Sequence, residues 1–177
     1  AHQVAVGVRL GPFGGGEHLV DRRVEMRELQ HGGRIGIGDG EPRGRLLPSS
    51  EWRFHRDIYA ARPDASAIVH THAPFCTTLA CLGRGIPAFH YMVAVAGGRD
   101  IRCAPYATFG SQALADAAVA ALEGRRACLL ANHGMIAIGA DLDRIAEAAD
   151  EALRKAGLDR ATVSALYFTG ASTGFRP

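Results

Sequence analysis

The residues best suited to chemistry in this chain are a few histidines and one glutamate. His70 and His72 form an H-x-H pair, and His133 stands between Asn132 and Gly134. Alternate side chains of a β-strand share a face, so the two imidazoles of an H-x-H pair can reach one ion. His133 directly follows the apolar run Ala127–Ala131, where the end of a strand can present a polar group to a site. Three neutral imidazoles suit zinc or a similar divalent ion and leave a coordination position open, which a catalytic site requires. Glu51, at the start of a helix after Pro48-Ser49-Ser50, is the best source of a carboxylate, as a ligand or as a proton acceptor. Spacing alone leaves a second reading open, because an H-x-H pair in a strand is also a pattern of ordinary side chains. His55 and His90 have no partner at ligand spacing and read as structural, and Trp52, Phe54 and Tyr59 read as core packing.

The elements that must position these residues are legible from Pro48 onward. Ser49 and Ser50 can cap a helix in which Trp52, Phe54, Ile58 and Tyr59 recur near helical spacing, and Pro63 ends it. Ala67–His70 reads as a buried strand delivering His70 and His72, followed by a helix over Pro74–Leu82 that opens on proline. Gly110–Ser111 opens a helix over Gln112–Leu122, closed by Gly124, and Ala127–Ala131 is a buried strand that delivers His133. Met135–Ile138 continues as a strand, and Asp141 caps an amphipathic helix from Leu142 to Ala156. Ahead of Pro48 the only regular signals are strand-like runs at Val4–Leu10 and Val24–Leu29. Strands alternating with helices over short connections predict an α/β fold, a mixed sheet with helices on both faces. The tail from Thr169 to Pro177 reads as loosely held.

Composition narrows the class. With 177 residues, 47 % of them hydrophobic, the chain suits one domain over residues 1–177 with one sizeable core. A formal charge of +2 is too near balance for nucleic acid to be the main partner, so any anion site is local. No apolar run is long enough to cross a bilayer and the N-terminus lacks a secretory pattern, which predicts a cytoplasmic protein with no membrane association. Cys76, Cys81, Cys103 and Cys128 lie among apolar neighbours without a C-x-x-C pair and read as free buried thiols.

Several motifs agree in order and spacing: Pro48-Ser49-Ser50-Glu51-Trp52-Arg53-Phe54-His55, His70-Thr71-His72-Ala73, His90-Tyr91-Met92, Ala104-Pro105-Tyr106-Ala107-Thr108-Phe109-Gly110 and Asn132-His133-Gly134. Together they resemble the class II aldolase/adducin family from Pro48 to about Leu153, whereas residues 1–47 are atypical or truncated against its pattern. The resemblance implies a three-layer α/β fold and a zinc ion, or another divalent ion, on His70, His72 and His133. It implies that Glu51 is the acid/base and a ligand of the resting metal, and that Ser49 and Ser50 contact a substrate phosphate. Tyr91 would donate a proton in a neighbouring subunit's site and Phe109 would wall the aldehyde; both types of residue also serve as simple packing.

The implied reaction is cleavage of a ketose 1-phosphate, such as L-fuculose 1-phosphate, to dihydroxyacetone phosphate and a short aldehyde through a metal-stabilised enediolate. The implied partners are a small sugar phosphate and further copies of the chain in a homotetramer. Other members are sugar-phosphate 4-epimerases, decarboxylases or non-catalytic adducin-like interaction domains; the presence of Glu51 with all three histidines favours an enzyme.

Overall fold

The computed structural model describes residues 4–10, 25–28, 34–43, 45 and 48–141. Its framework is an eight-stranded sheet: β1 (Val4–Leu10), β2 (Glu25–Glu28), β3 (Arg34–Gly36), β4 (Pro42–Arg43), β5 (Ala67–Thr71), β6 (Arg102–Ala104), β7 (Ala127–Leu130) and β8 (Gly134–Gly139). The strands lie in the order β4-β3-β2-β1-β5-β8-β7-β6. All neighbours are antiparallel except β6 and β7, which makes the sheet mixed as the sequence predicts. Among the described residues three α-helices pack on it: α1 (Trp52–Ala61), α2 (Pro74–Cys81) and α3 (Gln112–Ala121).

The period-2 alternation of the central strands sorts their side chains between two cores. On one face Ile68 of β5, Cys128 and Leu130 of β7, and Ile136 and Ile138 of β8 meet Phe54, Ile58 and Tyr59 of α1 and Leu114, Ala115 and Ala118 of α3. The small alanines of α3 let it lie close to α1. On the opposite face Leu129 meets Ala73, Cys76 and Ala80 at α2. Each fully buried large apolar side chain in these cores contributes about 1.5–3 kcal/mol.

The expected elements from Val4–Leu10 to Met135–Ile138 appear within a residue or two of their predicted bounds. The strands β3, β4 and β6 are additions, two or three residues long and too short for periodicity to mark. So is a 3-10 helix over Tyr91–Ala96, where His90 accepts a hydrogen bond from the Met92 N–H through Nδ1 at 3.2 Å. The predicted helix over Leu142–Ala156 and the tail from Thr169 lie outside the described residues.

Two local expectations need correction. Neither Ser49 nor Ser50 caps α1: Glu51 occupies the N-cap position without a side-chain cap, and the Ser49 hydroxyl accepts from the Glu51 N–H at 3.3 Å. A serine followed two residues later by its bonded amide forms a turn of its own, which competes with capping. The four thiols are free, but Cys81 is exposed at the last residue of α2 and Cys103 is only half-buried on β6, the edge strand of the sheet. Cys128 is the deeply buried one, and burial pushes its thiol up to about 12.

Candidate active site

Sheet topology brings together what the sequence separates. β5 pairs with β8 so that His70 lies opposite Ile136 and Thr71 opposite Met135, while the β7–β8 hairpin closes with Leu130 opposite Gly134. The hairpin turn Ala131-Asn132-His133 is thereby set beside the end of β5. Asn132 adopts a left-handed φ of 55°, which asparagine tolerates better than most residues. The Asn132 N–H donates to Ala80 O at the end of α2, and the Ala131 N–H to Ala104 O of β6. The turn that presents His133 is therefore anchored on two sides. Gly134 is required by contact: a Cβ there would lie 2.5 Å from Thr71 O and 2.9 Å from His72 Cδ2.

The three histidines converge. One ring nitrogen from each of His70, His72 and His133 lies within 4.8 Å of the others, and His70 Nε2 is 3.2 Å from His72 Nε2. His70 is 1 % exposed, and its Nδ1 lies 2.9 Å from the Met135 carbonyl. A carbonyl can only accept, so Nδ1 carries the proton and Nε2 turns its lone pair toward the other rings. Burial lowers the His70 pKa to about 4, so the ring is neutral near pH 7, the form a metal ligand needs.

Glu51 closes the group. Its Oε2 is 3.3 Å from His70 Nε2 and its Oε1 is 3.0 Å from His133 Nε2. That second approach lacks hydrogen-bond angles, leaving Oε1 buried without a hydrogen-bond partner. Burial acts to raise the Glu51 pKa, but contact with His133 and the attraction of the neighbouring histidine rings outweigh it, and the net shift is downward. Three imidazoles with a buried, partly orphaned carboxylate are a donor set that fits one divalent cation. The shape of the polypeptide alone thus provides a cluster able to hold a metal.

A cavity of about 310 Å³ opens beside the cluster, lined by Glu51, His72 and His133 together with Ser50, Tyr106, Ala107, Phe109 and Asn132. Of the predicted site residues, His70, His72, His133 and Glu51 meet, and Ser50 and Phe109 line the same cavity. Ser49 sits behind Ser50 in the turn already described. Tyr91 lies elsewhere: it lines a separate hollow with Phe89, His90 and Arg99 and is 61 % exposed. Sequence reasoning missed Tyr106 and Asn132 as lining residues. Both belong to motifs already singled out, and their signal was proximity to Phe109 and His133.

Comparison with known proteins bears directly on this arrangement. The family model described as Class II Aldolase and Adducin N-terminal domain matches residues 21–157. The chain belongs to the class II aldolase/adducin family. It is 69 % identical over 104 residues to the 5-methylthioribulose-1-phosphate/5-deoxyribulose-1-phosphate aldolase of Rhodospirillum rubrum, covering 59 % of this chain and 47 % of that protein. It is 52 % identical over 107 residues to the L-fuculose phosphate aldolase of Escherichia coli, covering 60 % of this chain and 50 % of that protein. The chain spans about half the length of these relatives. Among solved structures it resembles an L-fuculose 1-phosphate aldolase with a TM-score of 0.69 and 33 % identity, over 98 % of this chain and 80 % of the other. Class II aldolase/adducin membership accords with the mixed sheet and its flanking helices.

Proposed function

We propose that this chain houses the active centre of a metal-dependent aldolase that cleaves a ketose 1-phosphate to dihydroxyacetone phosphate and a short aldehyde. The observation behind this reading is the buried Glu51 carboxylate against three imidazoles, one of them held as the Nδ1–H tautomer by Met135. His70, His72 and His133 would hold the ion, with Glu51 as the further ligand when substrate is absent; zinc is the ion that three neutral imidazoles suit best. What a bound ion supplies is Lewis-acid stabilisation of the negative charge that develops on the sugar oxygens as the carbon–carbon bond breaks.

The chain's own residues do the rest. Glu51, ionised and next to the cavity, moves the proton at the carbon that retains the bonding electron pair. The Ser50 hydroxyl, exposed at the start of α1, and Ser49 behind it take the substrate phosphate, where helix N-terminal amides favour an anion. Phe109 forms the wall for the aldehyde half. Tyr91 lines a separate hollow of its own chain and is exposed; in a homotetramer it would serve the site of a neighbouring subunit and handle the proton of the aldehyde oxygen. We assign the whole chain to one domain acting in the cytoplasm; among the described residues no helix is long and apolar enough to cross a membrane.

L-Fuculose 1-phosphate, which would release lactaldehyde, is one candidate substrate. The 69 % identity to the Rhodospirillum rubrum enzyme favours a second, 5-deoxyribulose 1-phosphate or its 5-methylthio analogue. Purified protein loaded with zinc is expected to release dihydroxyacetone phosphate from one of these compounds and to stop when a chelator is added. His133→Ala is expected to lower metal content below one ion per chain and turnover by more than about tenfold, as loss of one ligand nitrogen does. Zinc at full stoichiometry in that variant, or no cleavage of any of the three compounds by the loaded protein, would overturn the assignment.

A further inference from the structure

The aromatic side of the cavity is a short segment, Pro105 to Gly110, between β6 and α3, and a single cation ties it to the helix that bears Glu51. Arg53, half-buried on α1, donates from Nη1 to Gly110 O at 2.9 Å, and its guanidinium lies over the Trp52 ring at 4.6 Å from the centroid. Gly110 has φ of 71°, and a Cβ there would lie 2.7 Å from Ser50 O, so the segment is seated directly on the turn before Glu51. The same end of the segment is also held from α3: Ser111 Oγ donates to Thr108 O at 2.6 Å and accepts from the Leu114 N–H at 3.2 Å.

The two helices are already joined further along by Gln112, whose Nε2 donates to Asp57 Oδ2 at 2.5 Å and whose Oε1 accepts from Arg56 at 3.3 Å. Those bonds fix helix to helix. Among the described residues, Arg53 is the α1 side chain that hydrogen-bonds the cavity-lining segment. Tyr106 and Phe109, 64 % and 65 % exposed, have little packing of their own to hold them over the cavity.

We propose that Arg53 is a positioning residue which holds the Tyr106–Phe109 wall over the histidine cluster, so that Tyr106 and Phe109 together select the aldehyde half of the substrate. This rests on the aldolase reading above. A guanidinium suits the task because its planar fork can stack on Trp52 and donate to a carbonyl at once, whereas an ammonium offers a point charge. Displacing the wall leaves the ligands of the ion in place, so the consequence falls on substrate fit.

The test compares zinc-loaded wild type, Arg53→Ala, Arg53→Lys and Gly110→Ala on L-fuculose 1-phosphate and 5-deoxyribulose 1-phosphate, whose aldehyde halves are lactaldehyde and acetaldehyde. Arg53→Ala is expected to keep its zinc stoichiometry, raise KM roughly tenfold and shift the ratio of kcat/KM between the two compounds, as misplacement of a positioning group does. Arg53→Lys should recover part of both. Gly110→Ala, which pushes the segment off Ser50 without touching Arg53, should move the ratio as well and decides the matter if Arg53→Ala does not fold. An unchanged ratio in Gly110→Ala and in the Arg53 variants, or a loss of zinc from Arg53→Ala, overturns the proposal while wild-type turnover leaves the aldolase reading standing. A wild type inactive on both compounds defeats that reading and this one together.

Discussion

The chemistry of a histidine here is decided by what surrounds its ring. His70 is neutral because it is buried, and its tautomer is chosen by one backbone carbonyl; His55 is buried to the same degree with neither ring nitrogen hydrogen-bonded. His90 spends its Nδ1 on a backbone amide and has no place in the cluster. Gly134 matters at this scale as much as the ligands do. Adding one methyl group there collides with Thr71 O and crowds His72 and His70. Gly134→Ala is therefore expected to lower zinc affinity by about tenfold or more and stability by about 1–3 kcal/mol. Zinc titration and urea unfolding of the metal-free protein measure the two effects, and wild-type values in both would contradict the close packing described.

At the scale of elements, two helix starts show two uses of a polar side chain. Ser111 caps α3 in the ordinary way, whereas Glu51 at the N-cap of α1 gives its own helix no hydrogen bond and turns to the histidines instead. A helix tolerates this loss because its stability comes mostly from packing, and α1 buries Phe54, Ile58 and Tyr59. Removing the cap of α3 should cost about 1 kcal/mol. Ser111→Ala is accordingly expected to lower Tm by a few degrees, and Ser111→Thr to lower it less, with zinc content unaltered because α3 contributes no ligand. Thermal melts of the three proteins decide this, and an unmoved Tm in the alanine variant would remove the cap from the account.

For the molecule as a whole, the buried histidines make stability depend on pH. Burial lowers the pKa of His55 to about 3 and of His70 to about 4, from 6.5. Above pH 6.5 neither the folded nor the unfolded chain protonates them appreciably. As pH falls below that value the unfolded chain takes up protons that the folded one refuses, so stability declines until the folded rings titrate near pH 4 and 3. The lowered Glu51 carboxyl acts in the same direction below its ordinary value of 4.5. His55 by itself accounts for on the order of 2 kcal/mol lost between about pH 8 and about pH 5. Urea midpoints of the metal-free protein at the two pH values measure this, and His55→Phe should flatten the dependence. A midpoint that rises on acidification would show the histidines to be accessible to protons in the fold.

How much of this was present in the sequence follows from the range over which each signal acts. Local signals determined α1, α2, α3, β5, β7 and β8, because periodicity, proline at a helix start and a serine cap are written within a dozen residues. The motif residues also announced the cluster, since His70, His72, His133 and Glu51 each stand at an element boundary that the local pattern already marks. Pairing was another matter. That β8 lies between β5 and β7, bringing His133 to His70 although 63 positions separate them, is a consequence of long-range register that no local pattern encodes. The same holds for the distance of Tyr91 from the cluster and the seating of Gly110 on Ser50. Each depends on which surfaces meet, and surfaces meet only once the chain has folded.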